Sequence, residues 1–164
     1  RGLTLVLRPG LRFSDGSPLT VADLAFSLAA HLDPRVGSPQ REQLAVGGEP
    51  PRVLRVDERR IRIELAAPHA SAERLLDSVF IVPRRILEPK LKDGSLATAW
   101  GPATPPADLV GAGPYRLRSY EPGGRMLYER NPHYWKTDPA GRRLPFLDRL
   151  EIRFFADADA EALQ

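Results

Sequence analysis

The sequence predicts an α+β fold, with a mixed, mostly antiparallel sheet built from hairpins and a few short helices. Three observations predict it. Apolar residues alternate with polar ones at several separate places, which is the period of a half-buried strand. Only one stretch, residues 21–32, carries a well-formed helical spacing. The 164 residues include 17 prolines and 13 glycines, a share below the roughly one quarter that marks disorder, so a folded, loop-rich chain is expected.

Leu3, Leu5 and Leu7 alternate with Thr4 and Val6 as a mostly buried strand, and Pro9-Gly10 stops it. A turn follows at Ser14-Asp15-Gly16-Ser17-Pro18, in which Asp15 and Gly16 are structural residues. Apolar residues at 21, 24, 25, 28, 29 and 32 then define a helix from Val21 to Leu32. Thr20 is its expected N-cap, with Asp23 in the first turn, and Asp33-Pro34 ends it. Residues 33–51 read as a loop. Val53 and Val56, followed by Asp57-Glu58-Arg59 and by Ile61, Ile63 and Leu65 in alternation with Arg60, Arg62 and Glu64, predict an antiparallel hairpin with one wet face. Pro68 opens a short helix through Leu76, Phe80-Ile81-Val82 is a short strand, Arg84–Leu91 is a helix, and residues 92–108 are irregular.

Tyr115–Tyr120 and Arg125–Arg130 flank Glu121-Pro122-Gly123-Gly124, the residue types of a hairpin connection. Leu150, Ile152 and Phe154 alternate with Arg149, Glu151 and Arg153 in a last strand. The chain begins at Arg1, and the closing Asp157-Ala-Asp159-Ala-Glu161-Ala-Leu163-Gln164 reads as the first turns of a helix. An excised piece of a longer protein is expected.

Composition removes several function classes. No cysteine is present, which excludes a disulfide scaffold, a thiolate metal site and a cysteine nucleophile within this chain. The 24 basic and 21 acidic residues are interspersed, without the runs of like charge that mark nucleic-acid tails. His31, His69 and His133 lie far apart and in no ligand spacing, so no metal is expected. Asp157, Asp159 and Glu161 imitate the start of a calcium loop, but Ala162 stands where that loop needs glycine. No serine sits in a nucleophile elbow. Gly111-Ala112-Gly113 departs from a dinucleotide fingerprint, because Arg116 stands three residues beyond Gly113 and a strand follows. A tight bend is the simpler reading, with Gly113 in backbone geometry unfavourable to a side chain. Trp100, Tyr115, Tyr120, Tyr128, Tyr134 and Trp135 remain as recognition candidates or as packing. No catalytic residue and no cofactor are expected.

Three segments together resemble a known family. Leu5-Val-Leu-Arg8-Pro9-Gly10 through Phe13-Ser14-Asp15-Gly16-Ser17-Pro18-Leu19-Thr20 and on to Phe26-Ser27 resembles the N-terminal block of family 5 extracellular solute-binding proteins. Gly111-Ala-Gly113-Pro114-Tyr115, Tyr120-Glu-Pro-Gly123 and Glu129-Arg130-Asn131-Pro132-His-Tyr134-Trp135 resemble its second block. Leu147-Asp148-Arg149-Leu-Glu-Ile-Arg-Phe resembles the strand after it. Ala112 departs from the family's usual threonine.

The resemblance implies a two-lobed periplasmic-binding-protein type II fold, of which this chain is part of the first lobe. Residues 1–110 would be the subdomain particular to the large peptide-binding class, and residues 111–164 strands returning to the main sheet. It further implies a substrate-binding component of an ABC importer, monomeric, periplasmic or extracellular and sometimes lipid-anchored. Its partners would be a peptide or similar small solute and a membrane permease, with no nucleic acid. The implied solute-side residues are Gly111, Gly113, Tyr115 and Trp100. Two other classes stay open: an enzyme with an acid–base site at Asp15 or Asp108, and a polyanion-binding module.

Overall fold

A computed structural model describes residues 2–155. The helix expected from Asp157 lies outside the described residues. The chain divides into two compact units, Arg1–Leu11 with Pro18–Ala99 and Arg12–Ser17 with Trp100–Gln164. Within the second unit, Ser14 N–H donates to the Gly111 carbonyl at 2.8 Å.

The first unit contains strands β1 (Gly2–Val6), β2 (Arg52–Arg55) and β3 (Arg60–Glu64) and helices α1 (Val21–Leu32), α2 (Gln40–Leu44) and α3 (Arg84–Lys92). The strands form one antiparallel sheet in the order β1-β3-β2. Strict alternation on β3 decides its two faces. Ile61 and Ile63 are buried against Val21, Leu24 and Leu28 of α1, while Arg60 and Arg62 stay in water. Each such aliphatic side chain removed from water contributes about 1.5–3 kcal/mol, so this helix-on-sheet contact is the main source of stability in the unit.

Thr20 occupies the N-cap of α1, with extended backbone. The hydrogen bonds converge on Asp23 instead. Its Oδ2 accepts from Thr20 N at 2.9 Å and from Thr20 Oγ1 at 2.7 Å, and its Oδ1 accepts from Arg84 N at 2.9 Å. One buried carboxylate therefore serves the first turns of both α1 and α3, where unpaired amides favour a negative charge. One turn further along, Ser27 Oγ donates to the Asp23 carbonyl at 2.7 Å and accepts from Val82 N at 2.9 Å.

Four local expectations are corrected. The helix expected from Pro68 is a single 3₁₀ turn at Ala72–Leu76. The strand expected at residues 80–82 is absent, because Val82 N–H bonds the Ser27 hydroxyl instead of a neighbouring strand. The loop at 33–51 contains α2, and the irregular run at 92–108 contains 3₁₀ turns at Leu96–Thr98 and Pro106–Asp108.

The second unit contains β4 (Tyr115–Glu121), β5 (Arg125–Arg130) and β6 (Arg149–Arg153), antiparallel in the order β4-β5-β6. A bulge between Leu117 and Ser119 shifts the β4–β5 register. The turn Phe13–Ser17 belongs to this unit. Phe13, Ser14, Val110 and Asn131 are its buried side chains among the described residues.

Candidate functional site

A cavity of about 230 Å³ opens in the second unit, lined by Ser14 and Asp15, by Pro106–Val110 without Asp108, by Arg116–Arg118 and by Glu129. Local chain chemistry builds each wall. The Ser14–Ser17 turn closes because Asp15 Oδ1 accepts from Ser17 N at 2.9 Å and from Ser17 Oγ at 2.6 Å. Gly16 has φ +85°, which glycine adopts freely, and a Cβ there would stand 3.1 Å from His133 Nε2.

Ser14 N bonds the Gly111 carbonyl at 2.8 Å, and Gly111 N–H returns a bond to Ser14 Oγ at 3.3 Å. Arg116 supplies the second wall. Its guanidinium bonds the Glu129 carboxylate at 2.7 and 2.8 Å across the β4–β5 pair and donates from Nη1 to the Ser14 carbonyl at 3.2 Å. Two of the charges lining the cavity, Arg116 and Glu129, are therefore paired with each other. A cavity of this size holds a few waters or a small organic group.

The residues expected on the solute side are in part neighbours. Gly111 is tied to Ser14, and the Gly113 carbonyl accepts from Asn131 Nδ2 at 2.8 Å. Tyr115 opens β4 and donates its hydroxyl to the Leu147 carbonyl at 3.2 Å. Gly111, Gly113, Tyr115 and Trp100 all lie outside the cavity lining. Gly113 also departs from the expected backbone geometry. Its φ is not positive, and a Cβ there would meet nothing nearer than the Tyr115 carbonyl at 3.9 Å, while one on Gly111 would meet nothing within 4 Å. The bend is instead held from outside, by an amide side chain.

That side chain belongs to Asn131, which the sequence offered only as part of the second block and not as a site residue. It is only 2% exposed. Besides bonding Gly113, its backbone N–H donates to the Pro114 carbonyl at 2.9 Å and its Oδ1 accepts from His133 N at 2.9 Å. The Asn-Pro dipeptide at the end of a predicted strand was a usable signal, since asparagine before a turn bonds backbone two residues on. Arg116 and Glu129 were also missed. Counting outward from the Pro122-Gly123 turn places opposite charges on facing strands, although the bulge at Arg118 obscures the register.

Among the described residues, no three His, Asp or Glu side chains stand together as a metal site. Asp108 lies outside the cavity lining, and Asp15 holds its turn.

A family model described as bacterial extracellular solute-binding proteins, family 5 middle, matches residues 1–164. The chain belongs to this family. Relatives are found at sequence level as well. The "Probable ABC transporter-binding protein" of Deinococcus radiodurans is 30% identical over 170 residues, covering 100% of this chain and 29% of the relative. The periplasmic oligopeptide-binding protein OppA of Salmonella typhimurium is 30% identical over 148 residues, covering 80% of this chain and 26% of OppA.

Among solved structures, the ABC transporter substrate-binding protein CtaP from Listeria monocytogenes superposes with a TM-score of 0.77 at 26% identity, over 98% of this chain and 30% of CtaP. The oligopeptide-binding protein AppA from Bacillus subtilis, solved with a nonapeptide, shares the fold at a TM-score of 0.75 and 21% identity, over 99% of this chain and 30% of AppA. The chain thus spans less than a third of the length of these relatives.

Proposed function

We propose that this chain is part of the solute-binding component of an ABC importer, which captures a peptide or similar small solute outside the cytoplasm and presents it to a membrane permease. The observation that carries the reading is the family match along all 164 residues. The names of the 30%-identical relatives, an ABC transporter-binding protein and an oligopeptide-binding protein, support the solute class. The protein works as a monomer in the periplasm or at the cell exterior, by binding and not by chemistry.

In this reading residues 1–110 form the subdomain particular to the large peptide-binding class, and residues 111–164 return to the main sheet of the first lobe. Gly111, Gly113, Tyr115 and Trp100 face the solute. The absence of any internal steric demand for glycine at 111 and 113 supports a close approach of the solute to that backbone. Thr20, Asp15 and Gly16 hold turns and caps. Closure of two lobes over the solute shifts an open–closed equilibrium by contacts made only in the closed form.

The test is calorimetry with a peptide library on the complete protein and on residues 1–164 side by side. Tight binding by the complete protein and at least a hundredfold weaker binding by residues 1–164 is expected, because one wall supplies only part of the burial that a solute needs. Equal affinity in both would place the whole site within these residues and discard the two-lobe clamp.

A further inference from the structure

His31 lies in the last turn of α1, where its ring meets the connection that leads to α2. Its Nδ1 stands 2.7 Å from Ser38 Oγ, and Ser38 Oγ in turn donates to Gln40 Oε1 at 2.7 Å. The Phe80 carbonyl also faces the ring. These groups ask for more protons than a neutral imidazole has. A hydroxyl donates once, so a Ser38 that serves Gln40 must accept from Nδ1, and the single N–H of the neutral ring cannot then serve Phe80. The imidazolium would serve every acceptor, but it would place a charge in a half-buried site with no anion to meet it. Among the described residues no carboxylate pairs with the ring. Asp33 is closed on Arg35 at 2.7 Å, Arg41 of α2 turns its Nε to the Leu32 carbonyl at 3.2 Å, and Glu42, Glu73 and Asp77 are exposed.

We propose that His31 is an acid-released latch for the connection between α1 and α2: the neutral ring holds residues 34–41 against the end of α1, and protonation frees them while the rest of the first unit stays folded. The connection depends on such a latch because its own backbone bonds are single turns. Val36 N donates to the Asp33 carbonyl and Arg41 N to the Ser38 carbonyl, both at 3.1 Å, and isolated turns do not persist without tertiary contacts. Release stops at the far end of α2, where Leu44 is buried and Ser78 Oγ donates to Gln43 Oε1 at 3.0 Å. Burial holds the ring below its ordinary range, so the open, hydrated connection takes up the proton first as pH falls. Asp33, held below the ordinary carboxylate range by its hydrogen bonds from Arg35, keeps its charge through the same interval. Outside the cytoplasm, where the proposed function puts this chain, the pH of the medium reaches the latch directly, but the latch itself does not depend on that reading.

Hydrogen exchange in the complete protein, read by mass spectrometry on peptides within residues 34–43 and divided by the intrinsic rate at each pH, tests the latch. Protection there is expected to fall about fivefold or more between about pH 7.5 and pH 5, while the β3 amides around Ile61 and Ile63 keep theirs. His31→Gln should make protection of residues 34–43 independent of pH, because glutamine can bond Ser38 but cannot titrate. Ser38→Ala keeps the ring and removes its hold, so protection should already be low at pH 7.5, and the ring should titrate closer to the ordinary histidine value of about 6.5 by nuclear magnetic resonance. Protection of residues 34–43 that ignores pH in the parent would overturn the proposal. The same pH dependence surviving in His31→Gln would overturn it by assigning the effect to another group, and an equal loss in β3 would overturn it by showing unfolding of the whole unit. So would a Ser38→Ala protein that behaves as the parent.

Discussion

Asp23→Ala should be the most damaging polar substitution in the first unit. The carboxylate is 7% exposed and accepts from Thr20 N, Thr20 Oγ1 and Arg84 N. Hydrogen bonds to a charged group are worth about 1.5–3 kcal/mol each, and a buried donor left unmatched costs about 1–3 kcal/mol. Water reaches part of the helix ends after truncation, so the sum is discounted to about 4 kcal/mol. Thr20→Ala removes only one of these donors and should cost about 1 kcal/mol, the usual worth of a cap. In the Asp23→Ala background the same Thr20 substitution should cost close to nothing, because its acceptor has gone. Urea unfolding followed by circular dichroism at 222 nm reads α1 and α3, while Trp100 and Trp135 report on the second unit. An Asp23→Ala protein within about 1 kcal/mol of the parent would refute the shared-cap account. So would additive costs of the two substitutions.

Asn131→Ala should destabilise the second unit by about 1–2 kcal/mol, since the buried amide loses its bonds to the Gly113 carbonyl and the His133 N–H, which water can then reach, and the Trp135 fluorescence midpoint measures it. Gly16→Ala should cost about 1–3 kcal/mol because of its positive φ and the His133 ring. Gly113→Ala should stay within about 0.5 kcal/mol of the parent, as an ordinary surface change, and a larger loss in thermal melts would show a constraint that the backbone does not display. His31 is held below its ordinary histidine range, chiefly by burial, with the Phe80 carbonyl pulling the other way. The unfolded chain therefore takes up the proton first. The stabilising contribution is complete above about pH 6.5 and is lost as pH falls through the lower folded value. Unfolding midpoints between pH 8 and 5 should fall in the parent and flatten in His31→Gln.

Much of this protein was legible in one dimension, and the reason is locality. The helix at 21–32, the hairpins at 53–65 and 115–130 and the strand at 149 depend on periodicity and turn chemistry within a few residues of themselves. The motif-bearing blocks around Ser14-Asp15-Gly16 and Asn131-Pro132 identified the family for the same reason, because they are contiguous. What failed involved partners far away in sequence. Val82 pairs with Ser27 across 55 positions, so a stretch with strand composition has no ladder. Asp23 caps a helix 61 positions on, which made the threonine look like the principal residue. Pro68–Leu76 lacked enough local bonding to form more than a 3₁₀ turn, and α2 arose in a segment with no helical period of its own. At the candidate site, the glycines of 111–113 were visible but their restraint was not, since the amide that holds them lies 18 residues downstream. Local spacing determines which elements form. Which buried polar group satisfies which backbone atom is settled only when the chain has packed, because the penalty for an unpaired donor is levied in the folded interior.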